Sequence, residues 1–214
     1  MRILTENETK KLLKKYGIPV TEGYIAKSAG EALEIAGRIG TPVAMKISSP
    51  DIPHKSDVGG VALGVKEEDV EKTYAEIMAH VRGAAPGANI EGVLVQQMAT
   101  PGHETIVGLK SDPQFGHALM FGLGGIFVEI YRDVSFRVVP VERRDALDMI
   151  SEIKGYAILK GIRGRKPADI DAIADVLVAV SDMALKEKII ELDINPLIVH
   201  ERGAVAADAR AMVE

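Results

Sequence analysis

Hydrophobic positions along the chain recur with two periods, one helical and one alternating or continuous as in strands. Thr5-Glu-Asn-Glu8 has the form of a capping box, and Leu12, Leu13 and Tyr16 then share a face until Gly17 and Pro19 end the pattern, which predicts a first helix. A strand through Gly23-Tyr-Ile-Ala26 leads to a second box, Ser28-Ala-Gly-Glu31. The helix that follows carries Leu33, Ile35, Ala36 and Ile39 and stops at Gly40 and Pro42. Val43 to Ile47 and Gly60 to Val65 read as strands, and Glu67 to Val81 as a helix whose acidic first turn suits the helix dipole.

Gly83 to Asn89 reads as a loop, and Gly92 to Met98 as an apolar strand that turns polar at Gln96. His103 to Leu109, His117 to Leu123 and Val134 to Val139 are further strands, the first two joined by a turn at Ser111-Asp-Pro-Gln, so the middle of the chain reads as antiparallel. Glu142 to Ile150 and Tyr156 to Leu159 predict short helices. Pro167 opens a long one, with Ile170, Ile173, Ala174, Leu177 and Val180 at helical spacing. Strands at Lys188 to Ile194, Leu197 to His200 and Val205 to Ala207 complete the pattern. There is no repeat, low-complexity tract or long linker, which points to one module of two lobes with a ligand cleft between them.

At 214 residues, 47% hydrophobic and 27% charged, the chain has the composition of a soluble globular protein. No apolar run approaches the roughly 20 residues that span a bilayer, and the N-terminus has no secretory signal pattern, so a cytoplasmic location and no membrane partner are expected. Without cysteine, disulfides, thiolate metal sites and cysteine nucleophiles drop out. A net charge of −5 with 4% aromatic residues argues against a nucleic-acid surface.

The most chemically loaded stretch is Lys46 to Gly64. Lys46 and Lys55 can meet phosphate charge, and Gly59 and Gly60 lack side chains that would keep backbone N–H groups from an anion. A solvated hairpin loop with surface lysines is the plain alternative. His54 lies in the same loop, where a neutral imidazole can accept a phosphoryl group, whereas His80, His103, His117 and His200 lie in or at the ends of regular elements. In the last strands Glu191, Asp193 and Asn195 share a face, expected to be buried and therefore to need a cation or donors. Asp208, beyond a hairpin, returns beside Asn195, a pair suited to Mg²⁺ held jointly with phosphate, or else a surface turn with a capping Asp. The run from Phe121 to Glu129 fits neither G-x-G-x-x-G nor G-x-x-x-x-G-K-[ST]; it is a turn between packed elements or a phosphate or partner contact, with Glu129, Arg132, Asp133 and Arg137 nearby.

Together these motifs resemble the ATP-grasp fold, and within it the nucleotide-binding beta subunit of ADP-forming acetyl-CoA synthetases, among the NDP-forming acyl-CoA synthetases. The resemblance runs through Leu12-Leu-Lys-Lys-Tyr-Gly-Ile-Pro19, Val43-Ala-Met-Lys46, His54-Lys-Ser-Asp-Val-Gly-Gly60, Val95-Gln-Gln-Met98, the Glu104 strand, Gly122-Leu-Gly-Gly125, Asp193-Ile-Asn-Pro-Leu197 and Asp208. It implies an α/β (α+β) fold of two lobes with ATP between them, the smaller spanning 20–97 and the larger 1–19 and 98–214. It also implies that Lys46 and Lys55 hold ATP phosphates, that Gln96, Gln97 and Met98 line the adenine, that Glu104 faces the ribose, and that Asn195 and Asp208 bind Mg²⁺. Asp193, where succinyl-CoA synthetases have Glu, would face a phosphohistidine, and His54 would be a second phosphorylation site. Succinyl-CoA synthetases carry a further C-terminal domain, so the resemblance points to the short-subunit type instead.

The implied reaction is acyl-CoA + ADP + phosphate ⇌ acid + CoA + ATP, with ADP rather than GDP favoured by the resemblance. The chain would act only with a CoA-binding alpha subunit that carries the first phosphohistidine, in an α₂β₂ assembly. A free-standing ATP-grasp carboxylate ligase and a non-catalytic nucleotide-binding module are the rival readings.

Overall fold

A computed structural model describes residues 1–125, 133–162, 164 and 166–214. The chain divides into two compact units, one of Met1–Leu4, Thr9–Val20 and Thr100–Glu214, the other of Thr5–Glu8 and Thr21–Ala99. The first turn of the N-terminal helix therefore groups with the unit expected at 20–97, although the sequence placed it with the larger lobe.

In the smaller unit, strands β2 (Gly23–Ala26), β3 (Val43–Ser48), β4 (Val61–Val65) and β5 (Gly92–Gln97) form an antiparallel sheet in the order β2-β5-β3-β4. Helices α2 (Ala29–Ile39) and α3 (Val70–Ala84) supply Ala32, Ile35, Ala36, Val70, Tyr74, Ile77 and Val81 to its core. Ser28 caps α2 by accepting from the Glu31 N–H at 3.2 Å, as the box predicts. Helix α3 begins three residues later than expected, because Glu67–Asp69 forms a 3₁₀ turn first. Along β3, Val43, Met45 and Ile47 enter the core, so Ala44, Lys46 and Ser48 line the opposite face. Gln96 of β5 pairs with Ala44 and Leu94 pairs with Lys46, which puts Gln96 and Lys46 diagonally adjacent on that face.

In the larger unit, β1 (Arg2–Leu4), β6 (His103–Asp112), β7 (Gly116–Leu123), β8 (Val134–Val138), β9 (Ile189–Val199) and β11 (Ala209–Val213) form the order β1-β11-β9-β6-β7-β8, with β10 (Ala204–Ala206) also on β9. Among the described residues these strands pair with one another antiparallel, and Val20 adds an isolated parallel bridge to Ala206. From Thr9 onward, helix α1 (Glu6–Lys15) belongs to this unit with α4 (Arg143–Glu152), α5 (Tyr156–Leu159) and α6 (Ile170–Lys186), and Leu13, Met149, Leu159, Ile173, Leu177 and Val180 pack with Val107, Leu109, Leu119, Phe121, Leu192 and Ile194 in one core. Helix α6 starts at Ile170 rather than Pro167, because Asp169 caps it by accepting from the Ala172 N–H at 3.0 Å. Two strands expected at the C-terminus are one continuous β9, with a register shift opposite Thr105/Val107 that falls at Asn195-Pro196. Among the described residues, no helix is long and apolar enough to cross a membrane.

Candidate functional site

Strand β3 delivers Lys46 from the middle of the smaller sheet, and the loop after it returns Lys55 at the start of a 3₁₀ turn, Lys55–Val58. Both ammonium groups reach the same carboxylate. Lys46 Nζ lies 2.9 Å from Glu6 Oε1 and Lys55 Nζ 2.6 Å from Glu6 Oε2, with the three side chains 7%, 17% and 3% exposed for Lys46, Lys55 and Glu6. One carboxylate against two ammonium groups offsets part of their burial cost and leaves the trio with a net positive charge. His54 immediately precedes Lys55, is exposed, and its ring has no hydrogen-bond partner among the described residues.

The two glycines act differently from the sequence expectation. The Gly59 N–H donates to Ser56 O at 3.1 Å and the Gly60 N–H to Lys55 O at 2.8 Å, so both donors close the turn rather than face an anion. Gly59 has φ 65°, the left-handed conformation that suits glycine, and a Cβ there would lie 3.2 Å from His80 Nδ1. At Gly60 a Cβ would meet Ile47 Cγ2 at 2.6 Å and Lys55 O at 2.8 Å. The glycines thus shape the loop that presents His54 and Lys55.

Gln96 is buried on the same face as Lys46, Gln97 is exposed with its N–H donating to Glu22 O at 2.8 Å, and Met98 follows the strand half-buried. Gly23 permits this edge, since a Cβ there would sit 2.7 Å from that of Gln96.

The remaining candidates belong to the larger unit. Glu104 is exposed on β6; its carbonyl accepts from the Gly124 N–H at 2.8 Å, and its carboxylate lies beside Gly125. The Asn195 N–H donates to Asp208 O at 3.1 Å, which fixes the two residues as neighbours across the turn. Asp193 is opposite Gly108 on one side and Arg210 on the other. Burial pushes the Asp193 carboxyl up, the nearby Asp208 and Glu191 push the same way, and Arg210 opposes them. The face carrying Glu191, Asp193 and Asn195 is not the buried one expected, because Leu192 and Ile194 take the core side; Asn195 is exposed and Glu191 pairs with Arg210 at 3.5 Å.

Asn195 and Asp208 offer hard oxygens beside a half-buried carboxylate held under mutual repulsion. That donor set fits a divalent cation such as Mg²⁺, which takes its other ligands from phosphate and water. Among the described residues, no three His, Cys, Asp or Glu residues form a cage that could hold a metal without such a ligand.

Three histidine rings are tied to backbone carbonyls: His103 Nε2 to Lys166 O at 2.8 Å, His117 Nε2 to Ile189 O at 2.8 Å and His200 Nε2 to Thr100 O at 3.1 Å. Near the glycine run, Asp133 accepts from the Lys154 and Gly155 N–H groups at 2.7 and 2.6 Å, and Arg137 pairs with Glu152. Both are structural roles. Glu129 and Arg132 lie outside the described residues.

Sequence reasoning missed Glu6 and Lys10. Lys10 Nζ donates to Ala207 O at 2.9 Å, one residue from Asp208. The available signal was positional: Thr5, Glu6, Thr9 and Lys10 continue the buried stripe of Leu13 toward the helix start, so polar groups occupy core-facing positions there.

This strand-borne lysine face and carboxylate hairpin accompany a match of residues 1–213 to the family model described as ATP-grasp domain. The chain belongs to the ATP-grasp family. It is 51% identical over 214 residues to acetate–CoA ligase (ADP-forming) I subunit beta of Pyrococcus furiosus, covering 99% of this chain and 92% of that one. It is 52% identical over 203 residues to acetate–CoA ligase (ADP-forming) I of Archaeoglobus fulgidus, covering 94% of this chain but 30% of that longer one. Among solved structures, dinucleotide-forming acetyl-coenzyme A synthetase 1 of Ca. Korarchaeum cryptofilum, in complex with coenzyme A, Ca-AMPCP and HgCl⁺, superposes with TM-score 0.96 at 48% identity, covering 100% of this chain and 94% of that one. The same synthetase with coenzyme A and Mg-AMPPCP gives TM-score 0.87, covering 100% and 93%. The relatives named here are thus ADP-forming acetate–CoA ligases and an acetyl-coenzyme A synthetase, one of them a separate beta subunit.

Proposed function

We propose that the chain is the nucleotide-binding beta subunit of an ADP-forming acyl-CoA ligase, working with a CoA-binding alpha subunit in an α₂β₂ assembly. The net reaction is acyl-CoA + ADP + phosphate ⇌ carboxylic acid + CoA + ATP. Phosphate displaces CoA to give an acyl phosphate on the alpha subunit, whose histidine takes the phosphoryl group and releases the acid. His54 then receives that group on a ring nitrogen and gives it to the terminal phosphate oxygen of ADP, forming ATP and regenerating the neutral ring.

The observation that carries this reading is the exposed His54, adjacent in sequence to Lys55, whose ammonium is drawn with that of Lys46 onto one carboxylate. The lysines neutralise phosphate oxygens and hold them in place, which is most of what phosphoryl transfer asks of a protein. Gln96, Gln97 and Met98 line the adenine and Glu104 faces the ribose. Asn195 and Asp208 hold Mg²⁺, which adds charge neutralisation at the phosphates. Asp193 faces the incoming phosphohistidine, and Gly59 and Gly60 serve the nucleotide through the shape of the loop. In this reading 20–97 is the phosphate- and adenine-binding lobe, and 1–19 with 98–214 the lobe that carries the metal ligands. The protein acts in the cytoplasm.

Mixing the chain with a matching alpha subunit, Mg²⁺, ADP, phosphate and acetyl-CoA tests the reading. ATP should form only when both subunits are present. ATP formation by the chain alone, or silence of the mixture across several acyl-CoAs, overturns it.

A further inference from the structure

Glu6 has a place in this site that neither the motifs nor the family match assigns. It sits in the first turn of α1, where a carboxylate is favourable toward the helix dipole, yet its side chain is buried rather than solvated. Its two oxygens take one ammonium each, 2.9 Å to Lys46 and 2.6 Å to Lys55, across sequence separations of 40 and 49 residues. Two ammonium groups brought this close repel each other, and a shared carboxylate is what offsets that repulsion. Each ammonium carries three donors, so a bond to Glu6 and a bond to a phosphate oxygen are compatible on the same lysine.

We propose that Glu6 is a positioning residue for phosphoryl transfer: its carboxylate spans Lys46 and Lys55 and fixes the spacing at which the two ammonium groups meet the phosphates. The proposal rests on the reading of these lysines as phosphate ligands. Both oxygens are needed, since each binds a different lysine. In Glu6→Gln one oxygen becomes an NH₂ that faces an ammonium donor to donor, so one lysine loses its bond to residue 6. The site then carries an extra positive charge, which favours binding a polyanion while the geometry for transfer is lost. The same change removes one of the two oxygens that hold the ammonium groups against residue 6, so the lysine facing the new NH₂ becomes more accessible to a small reagent.

The test compares wild type, Glu6→Gln, Glu6→Asp and Lys46→Ala in complex with the alpha subunit. Glu6→Gln is expected to lower kcat about tenfold or more with the KM for ADP unchanged or lower, a split that general loss of structure does not give. Acylation of Lys46 and Lys55 by acetic anhydride at alkaline pH, read by mass spectrometry, should rise several-fold in the same variant. Unchanged kcat together with unchanged labelling in Glu6→Gln overturns the proposal. If Glu6→Gln is too unstable to assay, Glu6→Asp carries the test: it keeps the charge but shortens the reach, so kcat should still fall, and full activity there overturns the proposal. Lys46→Ala separates the two readings. If it leaves ADP binding intact, the phosphate role of the lysines fails. If it abolishes binding while both Glu6 variants behave as wild type, only the role of Glu6 fails.

Discussion

At the scale of single residues, the site depends on what is absent as much as on what is present. Gly60 lies where a methyl group would press on Ile47 Cγ2 and on the Lys55 carbonyl, and the second of these is backbone that cannot rotate away. Gly60→Ala should therefore destabilise the protein by about 1–3 kcal/mol, read by chemical denaturation, and weaken ADP binding by displacing Lys55; wild-type stability and affinity would show that the loop yields without cost. The lysines, Gln96 and His54 were legible as a motif because each sits in a short, distinctive run. Glu6 was not, because its partners lie 40 and 49 residues away and only folding brings them together.

At the scale of elements, local chemistry was readable and long-range pairing was not. The box at α1 forms, with the Thr5 N–H donating to Glu8 Oε2 at 3.0 Å. Its counterpart at α4 forms between Glu142 and Asp145. Strands β1 and β11 escaped notice because each is short, and β11 is built partly on small residues, Ala209 and Ala211, whose burial follows from pairing with β9 rather than from any period of their own. Asp169 was read as part of a helix that began at Pro167; it is instead the cap of α6 and also accepts from the Gly203 N–H at 2.7 Å. Those N–H donors hold its carboxyl below the usual range, with the Gly203 bond the largest cause and burial opposing. A depressed carboxylate stabilises the fold above its unfolded pKa, about 3.9, and that contribution is lost as pH falls through the folded value. Asp169→Ala should accordingly cost about 1–2 kcal/mol near neutral pH, with the gap from wild type narrowing in strongly acidic solution. A gap independent of pH would assign the effect to packing alone.

At the scale of the whole molecule, two antiparallel sheets each turn one face to an apolar core and carry the candidate chemistry on the other, or on the loops and turns that join their strands. The smaller unit brings Lys46, Lys55, Gln96 and the His54 loop, and the larger brings Asp193, Asn195 and Asp208. The fold class was legible because capping, glycine stops and strand alternation agreed along most of the chain; the face of the acidic strand was not, since alternation alone does not say which side the helices cover. The proposed relay passes a phosphoryl group onto this chain at His54. Incubation with the alpha subunit, Mg²⁺ and ATP labelled at the γ-phosphate should place acid-labile, base-stable label on this chain, and His54→Ala should abolish it while ADP affinity is retained. Label that persists on the His54→Ala chain would rule out His54 as the acceptor.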